Sequence, residues 1–480
     1  MQNTLTKESI LYGIGHISSR LITFLLLPLF TNILSPWEYG VVALIYAFIA
    51  FFTVILHFGL DTALLRNYKP ADNKDKIQYV TNAYVPLLII NVIVLILFFV
   101  LKDSLSIYLF GVDSPLLLLL MALIICFDGL WSIPMIMLRA DNKPILFILF
   151  SILNVVSNVI FICILVVWCQ LSMLGIIISN VLSSGLLFAA TLPIVSNKIN
   201  IRSLDVQIFK QLFKFGYPFI FAGIFSMIIE LSDRYIIKYL LGLDMVGIYN
   251  AGYKLGMLML LLVMAFNMAW QPFFLDKKNQ KDPKMLGVLI TKIFLAFSII
   301  CCVIICFVEP LTNITIFNYK IIGDEFSDAL VIVPWVCFAY FFHGAYILQL
   351  PGPYITNNTI GIAYVRGVGA ISNIALNFYL IPIFGILGAA YATCLSFMIM
   401  AILIFLYNRK IYLIPYNYYT IYCSIFIVIM FIVINNCNPS LSIRFVAILL
   451  IPCVLFMLGC FNNDQVNLLK NKIHGFFEKK

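Results

Sequence analysis

The chain has 480 residues, of which 63% are hydrophobic, 15% aromatic and only 11% charged, and it carries a formal net charge of +9. A soluble domain is nearer half apolar and a quarter charged. This composition, with a mean hydropathy of +1.05, excludes a soluble enzyme, a nucleic-acid reader and a disordered chain.

A bilayer core needs about 20 apolar residues per helix, and the sequence offers about 14 such stretches. They are 9–33, 39–64, 79–101, 115–138, 145–168, 174–194, 211–239, 246–274, 285–308, 327–350, 360–381, 386–407, 419–435 and 443–460. The first is too long for a signal-peptide core and no small-x-small cleavage site follows it, so it is expected to remain as a span. Strict period-2 alternation is absent, which excludes an outer-membrane barrel.

Lys and Arg set the orientation. With the N-terminus inside, 21 of the 30 basic residues fall in inner segments and 4 in outer ones. The expectation is an all-α polytopic membrane protein with both termini cytoplasmic. The basic excess is loop bias, and no nucleic-acid partner is expected. Loops are short. The longest outer one runs from Glu309 to Phe326, and no soluble domain is inserted.

Two segments resemble each other. The junction Ile33-Leu34-Ser35-Pro36-Trp37-Glu38-Tyr39-Gly40-Val41, followed by Tyr46, aligns with Leu240-Leu241-Gly242-Leu243-Asp244-Met245-Val246-Gly247-Ile248, followed by Tyr253, at an offset of 207 residues. Asn154/Asn158 and Asn373/Asn377 form a second pair, and Leu174-Gly175 with Leu387-Gly388 a third. Their common order suggests two six-helix halves of one orientation, as in many secondary transporters. The expected division is an N-lobe at 1–200, a C-lobe at 201–410, and two further helices with a tail at 411–480.

Ionisable residues in lipid are functional candidates because a central charge costs about 2.5–3.5 kcal/mol to insert. Arg20 lies roughly 16 Å into its span and Lys254 roughly 12 Å, at 1.5 Å per residue. Both are too deep for the interface, and their chemistry suits an anion. Arg234 stands four residues after Glu230, a spacing that pairs them on one helical face. Asp233 adjoins them. Asp128 sits mid-span, where burial would favour its protonated form and allow proton exchange. His57 and Asp61 complete the candidates for coupling or cavity roles. Lys292 and Arg366 lie nearer the cytoplasmic face, within snorkelling reach. The asparagine pairs suit interhelical hydrogen bonds, and Trp270-Gln271-Pro272 suits an interfacial helix end.

The 12 cysteines lie mostly in apolar stretches without a C-x-x-C pair, so they read as small core residues, with no metal site expected. There is no Walker loop, Gly-x-Ser-x-Gly or His-Glu-x-x-His. No catalytic residue and no cofactor is expected. Any transport would run on gradients or on the substrate's own free energy.

The chain resembles the polysaccharide repeat-unit flippases (Wzx type) of the multidrug/oligosaccharidyl-lipid/polysaccharide (MOP) exporter superfamily. The resemblance rests on Gly13-x-Gly15 with Arg20, on Pro28 through Gly40, and on Phe58-Gly59-Leu60 with Arg66. It continues through Asp233-Arg234-Tyr235, Val246-Gly247-Ile248-Tyr249-x-x-Gly252-Tyr253-Lys254 and Trp270-x-Pro272-Phe273. It implies two six-helix lobes around a central cavity lined chiefly by spans 1, 2, 7 and 8, working by alternating access. The implied substrate is an undecaprenyl-diphosphate-linked oligosaccharide, for O-antigen, capsule or exopolysaccharide synthesis at the bacterial plasma membrane. Arg20, Lys254 and Arg234 are then the substrate-binding cations, and H+ or Na+ is the implied coupling ion. Membrane lipid, a polysaccharide polymerase and chain-length machinery are the implied partners. A peptidoglycan-precursor flippase, a drug or cation exporter of the same superfamily, and a membrane oligosaccharide polymerase or ligase are the alternatives.

Overall fold

The computed structural model describes residues 24–68, 71–276, 282–312, 314–316, 319–358, 360–437 and 439–457. Twelve helices among them are long and apolar enough to cross a membrane, and they coincide with the expected spans from 39–64 to 419–435. Most of the expected span 9–33 lies outside the described residues. The expected span 443–460 meets a helix whose described apolar part, Leu441–Ile451, is shorter. The protein is an all-α, multi-pass membrane protein.

Its first described helix, α1 (Leu27–Ile33), ends at Leu34. Ser35 then starts α2 (Pro36–Leu56) with a reciprocal cap. Ser35 Oγ accepts from the Glu38 amide at 3.3 Å, and Glu38 Oε2 accepts from the Ser35 amide at 3.1 Å. Two orphan amides are satisfied where proline already favours helical φ. The expected span 39–64 is broken: Phe58 (φ 50) and Gly59 (φ 63) are left-handed, and the chain restarts as α3 (Leu60–Tyr68). Then follow α4 (Asn73–Val100), α5 (Lys102–Phe110), α6 (Pro115–Ala140) and α7 (Pro144–Ile162), which runs into a π-turn at Cys163–Trp168. Next come α8 (Ser172–Ser196) and α9 (Val206–Leu241). At 36 residues α9 is about 54 Å long, more than a bilayer core requires.

The expected span 246–274 is also two helices, α10 (Leu243–Gly256) and α11 (Leu258–Leu275), joined at Met257. After α12 (Pro283–Thr312), the loop holds a small antiparallel pair, β1 (Thr315–Ile316) and β2 (Tyr319–Lys320). A 3-10 segment, Asp324–Ile332, leads into α13 (Val333–Leu348). The chain ends in α14 (Pro351–Ile355), α15 (Ile360–Phe384), α16 (Ile386–Ile411), α17 (Tyr418–Asn436) and α18 (Leu441–Met457).

The helices group into two compact units. One comprises the described residues of Met1–Leu255, Thr315–Ile332 and Ile362–Ser396; the other comprises those of Gly256–Ile314, Val333–Gly361 and Phe397–Lys480. In the first unit α6 packs on α4 and α8, and α9 packs on α2 and α3. Leu60, Leu64, Tyr84, Leu130 and Leu212 share one buried cluster there. The outward face of α4 exposes Ile89, Ile93, Ile96 and Phe99, as a lipid-facing surface does.

Two crossings in this unit have no side chain between them. A Cβ on Gly40 would strike the Leu243 carbonyl, and one on Gly247 would strike the Pro36 carbonyl. A Cβ on Gly216 would lie 2.7 Å from the carbonyl oxygens of both Phe58 and Gly59. Small residues are how membrane helices approach this closely. The first crossing joins the two segments that the sequence comparison aligned.

In the second unit α12 packs on α13, α17 and α18. Arg444, 4% exposed, fastens the last helix. Its Nη2 donates to Glu309 Oε2 at 2.6 Å, and Nη1 to the Cys306 carbonyl and Asn435 Oδ1. Trp270 is 3% exposed and lies among Phe266, Phe273 and Phe274. Pro272 sits within α11 and does not end it. Cys163, Cys169 and Cys437 are exposed, and Cys126, Cys301, Cys302, Cys306, Cys337, Cys394 and Cys423 are buried.

Candidate functional site

The expected cations and carboxylates of the second half come together where α9 meets α10, within the first unit. Asp233 is fully buried and Arg234 is 4% exposed. Arg234 Nη1 donates to Asp233 Oδ1 at 2.7 Å and to the Glu230 carbonyl at 2.5 Å. The Tyr249 hydroxyl donates to Asp233 Oδ2 at 2.5 Å. Glu230 thus supplies its backbone oxygen to the guanidinium, and the neighbouring Asp233 supplies a charge. The guanidinium also lies 4.4 Å from the Tyr253 ring centroid, a cation–π distance.

Lys254 is half-buried one residue after Tyr253. Its ammonium stands 5.4 Å from the Phe30 ring and 5.3 Å from the Tyr39 ring. Tyr39 in turn packs edge-on against Phe326 at 5.7 Å. Among the described residues Lys254 forms no ion pair. Arg234 is thus charge-compensated, whereas Lys254 lies against two aromatic rings and, among the described residues, meets no carboxylate. Arg20 lies outside the described residues.

Asp128 belongs to a separate polar chain in the same unit. Its Oδ1 accepts from Trp131 Nε1 at 2.9 Å, on its own helix, and from Ser184 Oγ at 2.7 Å. Asn180 Oδ1, 3.2 Å from Ser184 Oγ, is the alternative acceptor for that one hydroxyl proton, and Asn180 Nδ2 donates to the Tyr46 hydroxyl at 3.1 Å. The carboxylate is thus wired across α6, α8 and α2. His57 sits at the break after α2, and Asp61 in the first turn of α3. His57 Nε2 is buried without a hydrogen-bond partner among the described residues.

The asparagine pairs bridge helices. Asn158 Nδ2 donates to Ser183 Oγ at 3.1 Å, and Ser232 Oγ donates to Asn373 Oδ1 at 3.3 Å. Arg366 Nη1 donates to Ser226 Oγ at 3.4 Å.

Sequence reasoning singled out the charges and missed the groups that hold them. Phe30, Tyr39, Tyr249 and Tyr253 form the aromatic frame, and Asn180, Ser184, Trp131 and Tyr46 extend the Asp128 chain. The signal was present, since three of these tyrosines stand in the Tyr39-Gly40 and Tyr249-x-x-Gly252-Tyr253 motifs. Aromatic rings in an aromatic-rich chain do not stand out by composition.

Outside the spans, the turn after α6 carries one more ionic cluster. Asp141 accepts from Lys76 at 3.2 Å, Lys198 at 3.3 Å and the Tyr68 hydroxyl at 3.1 Å. Burial alone would raise its pKa, but the two ammonium groups and the hydroxyl outweigh it and hold the carboxyl below its ordinary value.

Comparison with known proteins agrees with this architecture. A membrane protein of Haemophilus influenzae, described as uncharacterized, is 21% identical over 290 residues, covering 59% of this chain and 68% of its own. A protein of the Lsg locus of the same organism is 23% identical over 283 residues, with 57% and 67% covered. Among solved structures, the lipid II flippase MurJ in an inward closed conformation superposes with a TM-score of 0.74 at 17% identity, covering 94% of this chain and 98% of that one. An inward-facing multidrug resistance MATE transporter of the MOP superfamily gives 0.63 at 14% identity, with 84% and 94% covered. The fold is therefore that of the MOP-type transporters and flippases. The family model described as polysaccharide biosynthesis protein matches residues 5–277, more than half of the chain. The chain belongs to that polysaccharide biosynthesis family.

Proposed function

We propose that the protein is a flippase that moves undecaprenyl-diphosphate-linked oligosaccharide repeat units from the inner to the outer leaflet of the bacterial plasma membrane. It works by alternating access and serves the synthesis of O-antigen, capsule or exopolysaccharide. The observation that carries this reading is Lys254. A cation in a membrane helix, held by two aromatic faces and compensated by no carboxylate among the described residues, can accept a phosphate without first breaking an ion pair. Charge-assisted contacts of this kind strengthen in a low-dielectric site. Family membership supports a polysaccharide precursor as the cargo, and the likeness to a lipid II flippase supports a lipid-linked one.

Arg234, neutralised by Asp233, shapes the field around Lys254, and Arg20 is the other cation we assign to the diphosphate. Asp128 is the carboxylate best placed to couple transport to a proton or sodium gradient, because its hydrogen-bond chain reaches from α6 to α2. Glu230, His57 and Asp61 are secondary candidates for that role. The polymerase and chain-length machinery would receive the product outside.

The test is the sidedness of lipid-linked oligosaccharide in spheroplasts of a deletion strain, read with a membrane-impermeant sugar-modifying probe. The intermediate should be made but inaccessible. Wild-type protein should restore access, and Lys254→Ala, at equal abundance, should not. If the intermediate reaches the outer face without the protein and only polymerisation fails, the chain is a polymerase or ligase instead.

A further inference from the structure

Around Lys254 three further close approaches converge, all in the first unit. Gly40 and Gly247 cross backbone to backbone, Gly252 lies against the Ala329 carbonyl, and Gly323 lies against the Thr31 carbonyl. Asn32 Nδ2 also donates to the Lys320 carbonyl at 2.7 Å. These contacts draw together α1, α2, α10 and the segment 315–332 at the end that the Lys/Arg distribution places outside. Phe30 comes from α1, Tyr39 from α2, Lys254 from α10 and Phe326 from the 3-10 segment. Each of the four elements thus contributes one member to the aromatic–cation stack. The Gly40–Gly247 crossing is smooth and offers no side-chain interlock. The Gly323 amide donates to Thr31 Oγ1 at 3.1 Å, and beside this bond and that of Asn32 the stack is a further tie between the elements.

We propose that the contact of Lys254 with the Phe30–Tyr39 ring pair, whose centroids lie 6.2 Å apart with the ammonium beside both, is a latch on the outer end of the protein, released when a phosphate draws the Lys254 ammonium away from the rings. This rests on the reading of Lys254 as a phosphate contact and adds a consequence to it: binding the cargo unlocks the exit. An aromatic latch suits the task better than a carboxylate. Ring faces hold a cation through their quadrupole, without a full opposing charge. An incoming diphosphate therefore outcompetes them and leaves no stranded anion in hydrocarbon. Phe30 and Tyr39 are positioning residues that act through Lys254.

The test uses a spin-label pair on the exposed residues flanking the crossing, Trp37→Cys and Met245→Cys. Cys163, Cys169, Cys437, Cys453 and Cys460 are replaced by Ser. The protein is reconstituted in nanodiscs, and inter-label distances are recorded with and without undecaprenyl diphosphate. Without ligand the wild-type background should give one short population, and the ligand should add a longer one. Tyr39→Leu should show the longer population without ligand, Tyr39→Phe should behave as wild type, and Lys254→Gln should be open and unresponsive. Phe30→Leu repeats the test from the other ring if Tyr39→Leu folds poorly. If a well-folded Tyr39→Leu or Phe30→Leu variant keeps the single short population, the latch is wrong. If these variants open but undecaprenyl diphosphate leaves the wild-type background unmoved, the latch stands and the phosphate reading of Lys254 falls.

Discussion

Replacing Asp233 with Asn tests how the buried charges are tolerated. Asp233 is fully buried, and it accepts the Arg234 guanidinium at 2.7 Å, the Arg234 amide at 2.9 Å and the Tyr249 hydroxyl at 2.5 Å. Asn preserves the shape and removes the charge, leaving a guanidinium 4% exposed without its anion. Breaking a buried pair from one side costs about 3–5 kcal/mol, whereas exchanging both partners for apolar residues of similar volume is often neutral. Extending the size dependence of melting shifts to a chain this long gives a fall in Tm of roughly 5–8 °C for Asp233→Asn. The double variant Asp233→Leu/Arg234→Met should recover most of it. The assay is thermal unfolding in detergent, followed by a thiol-reactive fluorophore that reports exposure of the buried Cys126, Cys301, Cys302 and Cys337. The reasoning is refuted if Asp233→Asn melts within a degree or two of wild type, or if the double variant melts no higher than the single one. Neither readout depends on transport.

Three further outcomes follow from the same geometry. Because the folded-state pKa of Asp141 is depressed, its stabilising contribution is present in full above the unfolded value of about 3.9 and fades as pH falls through the lower folded value. The Tm gap between wild type and Asp141→Asn should hold steady from neutral pH to about pH 5 and close in stronger acid. Gly216→Ala should lower stability by about 1–3 kcal/mol through overpacking, since its Cβ would lie 2.7 Å from two carbonyl oxygens. Gly367→Ala, whose Cβ would meet the Phe225 ring at 3.5 Å, should melt as wild type does. Asn91 is 1% exposed, and neither of its amide atoms has a hydrogen-bond partner among the described residues. Asn91→Leu should therefore raise Tm, because it removes an unpaid desolvation cost of about 1–3 kcal/mol.

Much of the fold was legible because a bilayer imposes length and composition on every helix that crosses it. The breaks were less so. Phe58-Gly59 turns left-handed inside an unbroken apolar run, and hydropathy does not register φ. Met257 interrupts α10 and α11 with no proline or glycine at the joint itself. The ionisable residues Arg234, Asp233, Lys254 and Asp128 announced themselves by their cost in lipid. Their partners did not, because pairing is a three-dimensional fact. Nothing in the order Glu230, Asp233, Arg234 says that the guanidinium bonds the adjacent carboxylate and the Glu230 carbonyl. Likewise Phe30 and Lys254 are 224 residues apart in sequence, and only packing puts them in contact.

The crossing of α2 and α10 has a consequence for how one chain can hold unlike groups on the two sides of a symmetric contact. Pro36 aligns with Leu243 and Gly40 with Gly247, and the contacts run Pro36 to Gly247 and Leu243 to Gly40. That reciprocity is the mark of an isologous interface, the kind a twofold homodimer makes, here fused into a single polypeptide. Two identical subunits would have to repeat every residue on both sides of the axis. A fused pair is free to diverge. At the offset of 207 the counterpart of Lys254 is Ala47, and the counterpart of Tyr253, whose ring lies beneath Arg234, is Tyr46, whose hydroxyl is bonded to Asn180. Covalent fusion thus lets one side of a symmetric crossing hold the cation while the other carries the hydrogen-bond chain.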